Sequence, residues 1–314
     1  MTHGQMKQGD STGKIKQRIS DDVRQRVLDL RRSHSLREVA AMTGLPLGTV
    51  KTLVSRSGKF RDNAKHRELF SLPPIRESEE TLPAVPELPP QESVTGDKEV
   101  DAVLWLRQVI DTGHAALIER AMEGAKRIKT PLTALQQRYK QYLIDTYPDN
   151  PLAAMGAFGF SDLERLASEA MERQRLQVEA MARFGDRLMI DTPAEAFCVE
   201  VLAGLEFTET HPPFDEASVA ERFKAHPELI PQTLADCLHE LKYWGHLHRL
   251  RCASCNEYCQ PLEEASSREW FVFGLLAEIR PRDSEEAKAV LRYLIEYGWR
   301  DVIGADAVLE NIIR

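Results

Sequence analysis

Three of the chain's five cysteines fall within eight residues, C-A-S-C-N-E-Y-C over 252–259. Soft thiolates at this C-x2-C-x3-C spacing suit a tetrahedral zinc ion, and three or four of them also suit an iron–sulfur cluster, the less favoured of the two. His246 and His248 lie just upstream, and Cys237 precedes Cys252 by 15 residues. The expected metal ligands are Cys252, Cys255 and Cys259 with either His248 or Cys237. A second C-x2-C pair is missing, so free thiols in a tight turn, or a redox-switched disulfide, stand as the alternative. Cys198 reads as a core residue.

A second group of residues has the chemistry to meet a polyanion. PLGTVKTLVSR (46–56) carries hydroxyls and cations at helical spacing. Thr49, Lys51 and Thr52 are placed to reach base edges, with Ser55 beside them. Arg56, Lys59 and Arg61 follow, and Lys65 and Arg67 continue the row as phosphate contacts. The structural alternative is a solvated basic hairpin, or one used for protein contact.

Such residues need rigid helices, and the sequence supplies the signals for three. Ser20 is an N-cap, and Asp21 and Asp22 suit the positive end of a helix dipole. Val23, Val27, Leu28 and Leu30 make an apolar stripe. Ser35 with Glu38 forms a capping box. Leu36, Val39, Ala40 and Thr43 face inward until Gly44, which supplies a left-handed corner. Pro46 suits the first turn of a third helix, and Val50 and Leu53 are its core contacts. Residues 20–60 resemble helix-turn-helix domains, and PLGTVKTLVSR is similar to the recognition helix of sigma-factor region 4. The resemblance covers about 50 of 314 residues. It implies that this third helix enters the major groove of DNA. No promoter-melting or core-binding region accompanies it, and no family is recognised over the whole chain.

Charge agrees with this division. Residues 1–70 hold 15 Lys and Arg against 7 Asp and Glu, a net +8, so the remainder of a chain with net charge −8 carries −16. A basic head on an acidic body is the pattern of a polyanion-binding module joined to something that is not one. The expected organisation is a disordered basic tail (1–19), the tri-helical head (20–70) and an acidic Pro-rich linker (71–98). A helical domain suited to oligomerisation (99–190), a further domain (191–265) and C-terminal helices (266–314) follow. The linker carries six of the 17 prolines and reads as a semi-extended tether.

Within 99–190 the apolar spacings of three and four predict helices. Ser161 and Glu164 suggest a capping box for a helix over 161–190, whose seam is broken by Arg173, Gln174 and Arg175. In 191–265, Thr192-Pro-Ala-Glu195 is a capped helix start, and helices follow at 215–226 and 231–245. HLHRLRCA and YCQPLE then read as two strands. Three helices and a β-hairpin resemble a winged helix, with the cysteines in the wing. The fold class expected is therefore mainly α, with one β-hairpin.

The N-terminus lacks an apolar h-region, and no run of 18 apolar residues occurs, so a cytoplasmic protein located with the bacterial nucleoid is expected, with no membrane partner. No Walker A loop, dinucleotide fingerprint or His-Glu-x-x-His is present, so no enzyme is expected. The function this predicts is sequence-specific transcriptional regulation on double-stranded DNA by a homo-oligomer, a dimer above all. The alternative is a replication, partition or packaging module of a phage or plasmid, that is, of a mobile genetic element.

Overall fold

The computed structural model describes residues 19–58, 60–76, 86–207, 213–255, 259–299 and 302–313. Lys59 and all but the last residue of the expected basic tail lie outside them. The protein is mainly helical, and no strand occurs among the described residues. They divide into two compact units. The first draws on Met1–Phe70, Glu200–Leu241 and Ser266–Arg314; the second on Ser71–Val199 and Lys242–Ala265. This grouping differs from the division expected from the sequence, because the head shares its unit with C-terminal helices.

The first unit begins with α1 (Asp21–Ser33), α2 (Leu36–Thr43) and α3 (Leu47–Ser57). The local signals act as their chemistry requires. The Ser20 side chain accepts from the Val23 amide, and Ser35 and Glu38 close a reciprocal capping box. Gly44 ends α2 at φ +69°, a conformation that costs a residue with a Cβ about 1–2 kcal/mol. Val27, Val39 and Val50, one from each helix, are fully buried and form the centre of a small core. Leu30, Leu36, Ala40, Leu45 and Leu53 close around them.

A short helix, α4 (Ala64–Leu69), follows. The rest of the unit comprises α10 (Glu216–Lys224), the first part of α11 (Leu234–Ser254), α12 (Glu263–Glu278), α13 (Ser284–Glu296) and α14 (Ala305–Ile313). Leu234, Leu241, Leu276, Val290 and Leu294 are fully buried in their shared core, and Cys237 is buried with them.

The second unit is built on α5 (Lys98–Asp111), α6 (Ala115–Ala125), α7 (Leu132–Thr146) and α8 (Leu163–Phe184), with the start of α9 (Pro193–Leu202) and the last turns of α11. Val103, Ile110, Leu135 and Phe160 centre its core. The cap of α8 is Asp162, which accepts from the Arg165 amide, and not the Ser161–Glu164 pair expected; the Ser161 hydroxyl donates to Gln136 instead. The described parts of the Pro-rich segment are packed on this unit and do not form a free tether. Pro73 and Pro89 lack a donor but keep a carbonyl. Arg183 donates to that of Pro73 at 2.6 Å, and the Trp105 indole donates to that of Pro89 at 2.8 Å.

The expected wing needs correction. Residues 246–254 do not form a strand; they continue α11 through Gly245. Leu241, Trp244, Leu247 and Leu250 are all buried, a three-residue spacing that only a helix places on one side. The apparent alternation of HLHRL came from His246 and His248 flanking one member of that stripe.

Candidate nucleic-acid interface and cysteine site

At about 100° per residue, α3 separates into two faces. Leu47, Val50, Leu53 and Val54 share one, and Val50 is fully buried there. Gly48, Lys51, Thr52, Ser55 and Arg56 share the opposite face, and all five are exposed. Thr49 lies at its edge, half-buried. The Thr52 hydroxyl donates to the Gly48 carbonyl at 2.9 Å, a back-bond that directs its methyl and one oxygen lone pair outward. No ion pair among the described residues engages Lys51 or Arg56. Arg61 is exposed, with its guanidinium donating to the Ser55 carbonyl at 3.2 Å, so it sits beside the end of α3. The structure thus brings Lys51, Thr52, Ser55, Arg56 and Arg61 together on one open surface, with Thr49 bordering it.

Two basic residues of the head do not belong to that surface. Arg31 is 6 % exposed, donates to the His34 carbonyl and lies over the Phe60 ring at 5.6 Å. Burial holds its guanidinium below the usual arginine range. Arg67, expected as a phosphate contact, pairs with Asp62 at 3.0 Å and Asp236 at 2.7 Å.

Arg67 is part of an anchor that sequence reasoning missed. Asn63 caps α4 with its carbonyl oxygen, donates its amide to the Glu228 and Ile230 carbonyls, and donates its backbone N–H to Asp236. One turn on, His66 meets Glu240 of α11 through Nε2 at 2.6 Å, both side chains fully buried. Arg268 of α12 donates to the two Glu240 oxygens at 2.7 and 2.9 Å. Its guanidinium also faces the rings of Phe70, Phe223 and Phe271 at 5.1, 4.7 and 5.3 Å. Burial pushes the Glu240 carboxyl up, but Arg268 and the hydrogen bonds from His66 and Arg268 outweigh it and hold it below the usual carboxylate range. Glu269, next along α12, is pushed up to about 7 by burial and by the charge on Glu240. Residues 62–70 are therefore fastened to α11, to α12 and, through an Asp62–Arg282 pair at 2.9 Å, to the segment that leads into α13.

The cysteine residues divide in two. Cys198 and Cys237 are fully buried. Fifteen residues of helix separate Cys237 from Cys252, about 22 Å at 1.5 Å per residue, so Cys237 cannot share an ion with Cys252. That removes it from the expected ligand set. Cys252 Sγ lies 3.4 Å from His248 Nε2, one turn back on α11, and 3.9 Å from the Cys259 carbonyl. Burial, followed by Cys259 and Cys255, pushes the Cys252 thiol up. Among the described residues no three His, Cys, Asp or Glu side chains already surround one point as metal ligands would.

The other basic residues of this region face carboxylates. His246 meets Glu179 at 2.8 Å, and Arg249 pairs with Glu172. Arg251 pairs with Glu195, whose partner in the Thr192 capping box also accepts from the Tyr243 hydroxyl at 2.8 Å. An open cleft of about 410 Å³ in the second unit is lined by Leu104, Arg107, Asp111 and Tyr139. Arg107 is tied to the Gly159 and Phe160 carbonyls, and Asp111 to Arg173.

Comparison of the chain with protein-family models, curated proteins and solved structures finds no match. No helix of the described residues is long and apolar enough to cross a membrane.

Proposed function

We propose that the protein is a sequence-specific DNA-binding transcriptional regulator, and that α1–α3 act as a helix-turn-helix with α3 in the major groove. The observation that carries this reading is the two-sided α3: an apolar face closed by Val50 and an opposite face of exposed Lys51, Thr52, Ser55 and Arg56. Thr49, Lys51 and Thr52 read base edges, and Arg56, Arg61 and Lys59 hold phosphates. The net +8 of the first 70 residues supplies the salt-dependent, sequence-independent part of the affinity. The reading places the protein in the cytoplasm, on the nucleoid.

A single head reads few base pairs, and dimers commonly double the site. Met171, Val178 and Met181 leave an exposed apolar row on α8, which favours self-association. The same surface serves a second reading, an oligomeric replication, partition or packaging module. One experiment separates the two: purified protein is mixed with fragmented host DNA at physiological salt, and the retained fragments are sequenced. Several sharp peaks upstream of genes, sharing a motif, support the regulator. A single peak at an origin or packaging site supports the assembly module. No enrichment over input refutes both.

A further inference from the structure

The last turn of α11 offers half of a cation site that the DNA-binding reading does not use. His248 and Cys252 stand at i and i+4 on one helix face, the spacing that stacks two side chains. Their donor atoms are 3.4 Å apart. A tetrahedral ion with Zn–S of about 2.3 Å and Zn–N of about 2.0 Å holds its two ligand atoms about 3.5 Å from each other, so this pair already has the required separation. The helix stops at Ser254, and the Cys259 carbonyl lies 3.9 Å from Cys252 Sγ. Cys255 sits at the same helix end, its amide donating to the Arg251 carbonyl at 2.9 Å. A helix C-terminus, with its unsatisfied carbonyls, also favours a positive charge.

Cys252 is exposed, and Cys255 and Cys259 are half-buried, so all three can be reached by an ion from solvent. The surrounding cations are already committed to carboxylates: Arg251 to Glu195 and Arg249 to Glu172.

We propose that His248, Cys252, Cys255 and Cys259 bind one zinc ion, with His248 and Cys252 as the preformed pair and the other two thiols closing onto it. Each cysteine gives up its proton as it ligates, so three protons are released and the site carries a net −1. The ion ties Cys259 to the end of α11. The role is structural, since all four positions are taken by protein ligands.

The test uses the untagged full-length protein, expressed with zinc supplied and purified without chelator. Elemental analysis should find about one zinc per chain. Replacing zinc with cobalt(II) should give the thiolate-to-cobalt absorption of a tetrahedral site. The thiols should be slow to react with a disulfide reagent until a chelator is added, when three become reactive. The triple variant C252S/C255S/C259S should lose the metal and the cobalt absorption, whereas C198A keeps both. Circular dichroism on the triple variant separates loss of ligands from loss of fold, and wild-type metal content stands independently of any variant. Zinc well below stoichiometry with three freely reactive thiols would overturn the proposal. So would iron with inorganic sulfide, or a triple variant that still holds zinc.

Discussion

Replacing Glu240 with alanine should be among the most damaging single changes in the first unit. Glu240 is fully buried and accepts from His66 at 2.6 Å and from Arg268 at 2.7 and 2.9 Å. Arg268 is fully buried as well, so removing the carboxylate leaves a buried guanidinium with the Leu229 carbonyl as its remaining acceptor among the described residues. Among the described residues, Arg268 Nη1 and His66 Nδ1 already lack a hydrogen-bond partner, so the site has little spare capacity to compensate. Breaking a buried pair from one side typically costs about 3–5 kcal/mol, which exceeds the net value of the pair itself. The three aromatic rings that face the cation do so in the wild type and in the variant alike, so they leave that cost unchanged. The expected loss is therefore about 3–5 kcal/mol, read as a lower denaturant midpoint. Hydrogen exchange should localise it, with protection falling across 63–70. The double variant E240L/R268M should be far milder, because no charge is left buried. The pair also sets a pH dependence. The Glu240 carboxyl is held below its ordinary 4.5, so its contribution is present above that pH and lost as pH falls through the folded value. A loss under about 1 kcal/mol for E240A, or a double variant as unstable as the single, would refute this reasoning.

Further outcomes follow from the same geometry. Glu269 has the opposite sign: its folded value, about 7, lies above the ordinary 4.5, so stability should decline as pH rises between these values. At about 1.4 kcal/mol per pH unit the ceiling is about 3 kcal/mol, and partial exposure reduces it to about 1–2; E269Q should flatten the pH profile of the denaturant midpoint, and an unchanged slope would count against it. Gly44→Ala should cost about 1–2 kcal/mol through its φ of +69° alone, since nothing lies within 4 Å of an added Cβ. Gly44→Asn should recover much of that in thermal unfolding, and equal losses for both would point to some cause other than backbone conformation. Val50→Ala opens a void at the centre of the head's small core and should lower stability by about 1–3 kcal/mol, with DNA affinity lost at temperatures where the head unfolds.

The parts of the fold legible in the sequence were those specified locally. The Ser20 cap, the Ser35–Glu38 box and Gly44 mark helix ends within a few residues of the groups they satisfy, and the spacing of Val39, Val50 and Leu53 marks the core. The polar face of α3 was legible for the same reason. The anchor was not. His66 and Glu240 are 174 positions apart, and Glu240 and Arg268 are 28 apart. No periodicity announces a buried carboxylate on one helix whose partners come from two others. An acidic and a basic residue on predicted helices look alike whether solvated or buried, so Arg67 read as a phosphate contact. The misplaced strand had a different cause. Gly245 looked like a stop, but a helix tolerates one glycine at about 1 kcal/mol when buried leucines continue on either side. Leu247 and Leu250 do continue it. The same continuation fixes the distance that excludes Cys237 from the cysteine site.

The most direct test of DNA binding through α3 is the salt dependence of affinity for a selected fragment, wild type against K51A/R56A. Both side chains are exposed on the open face and far from the head's core, so folding should be unaffected. Each lost phosphate contact lowers the slope of log affinity against log salt by about 0.9; with Arg56 on a phosphate and Lys51 on a base edge, the account predicts weaker binding and a slope shallower by about 0.9. A folded double variant with unchanged affinity and unchanged slope would contradict it.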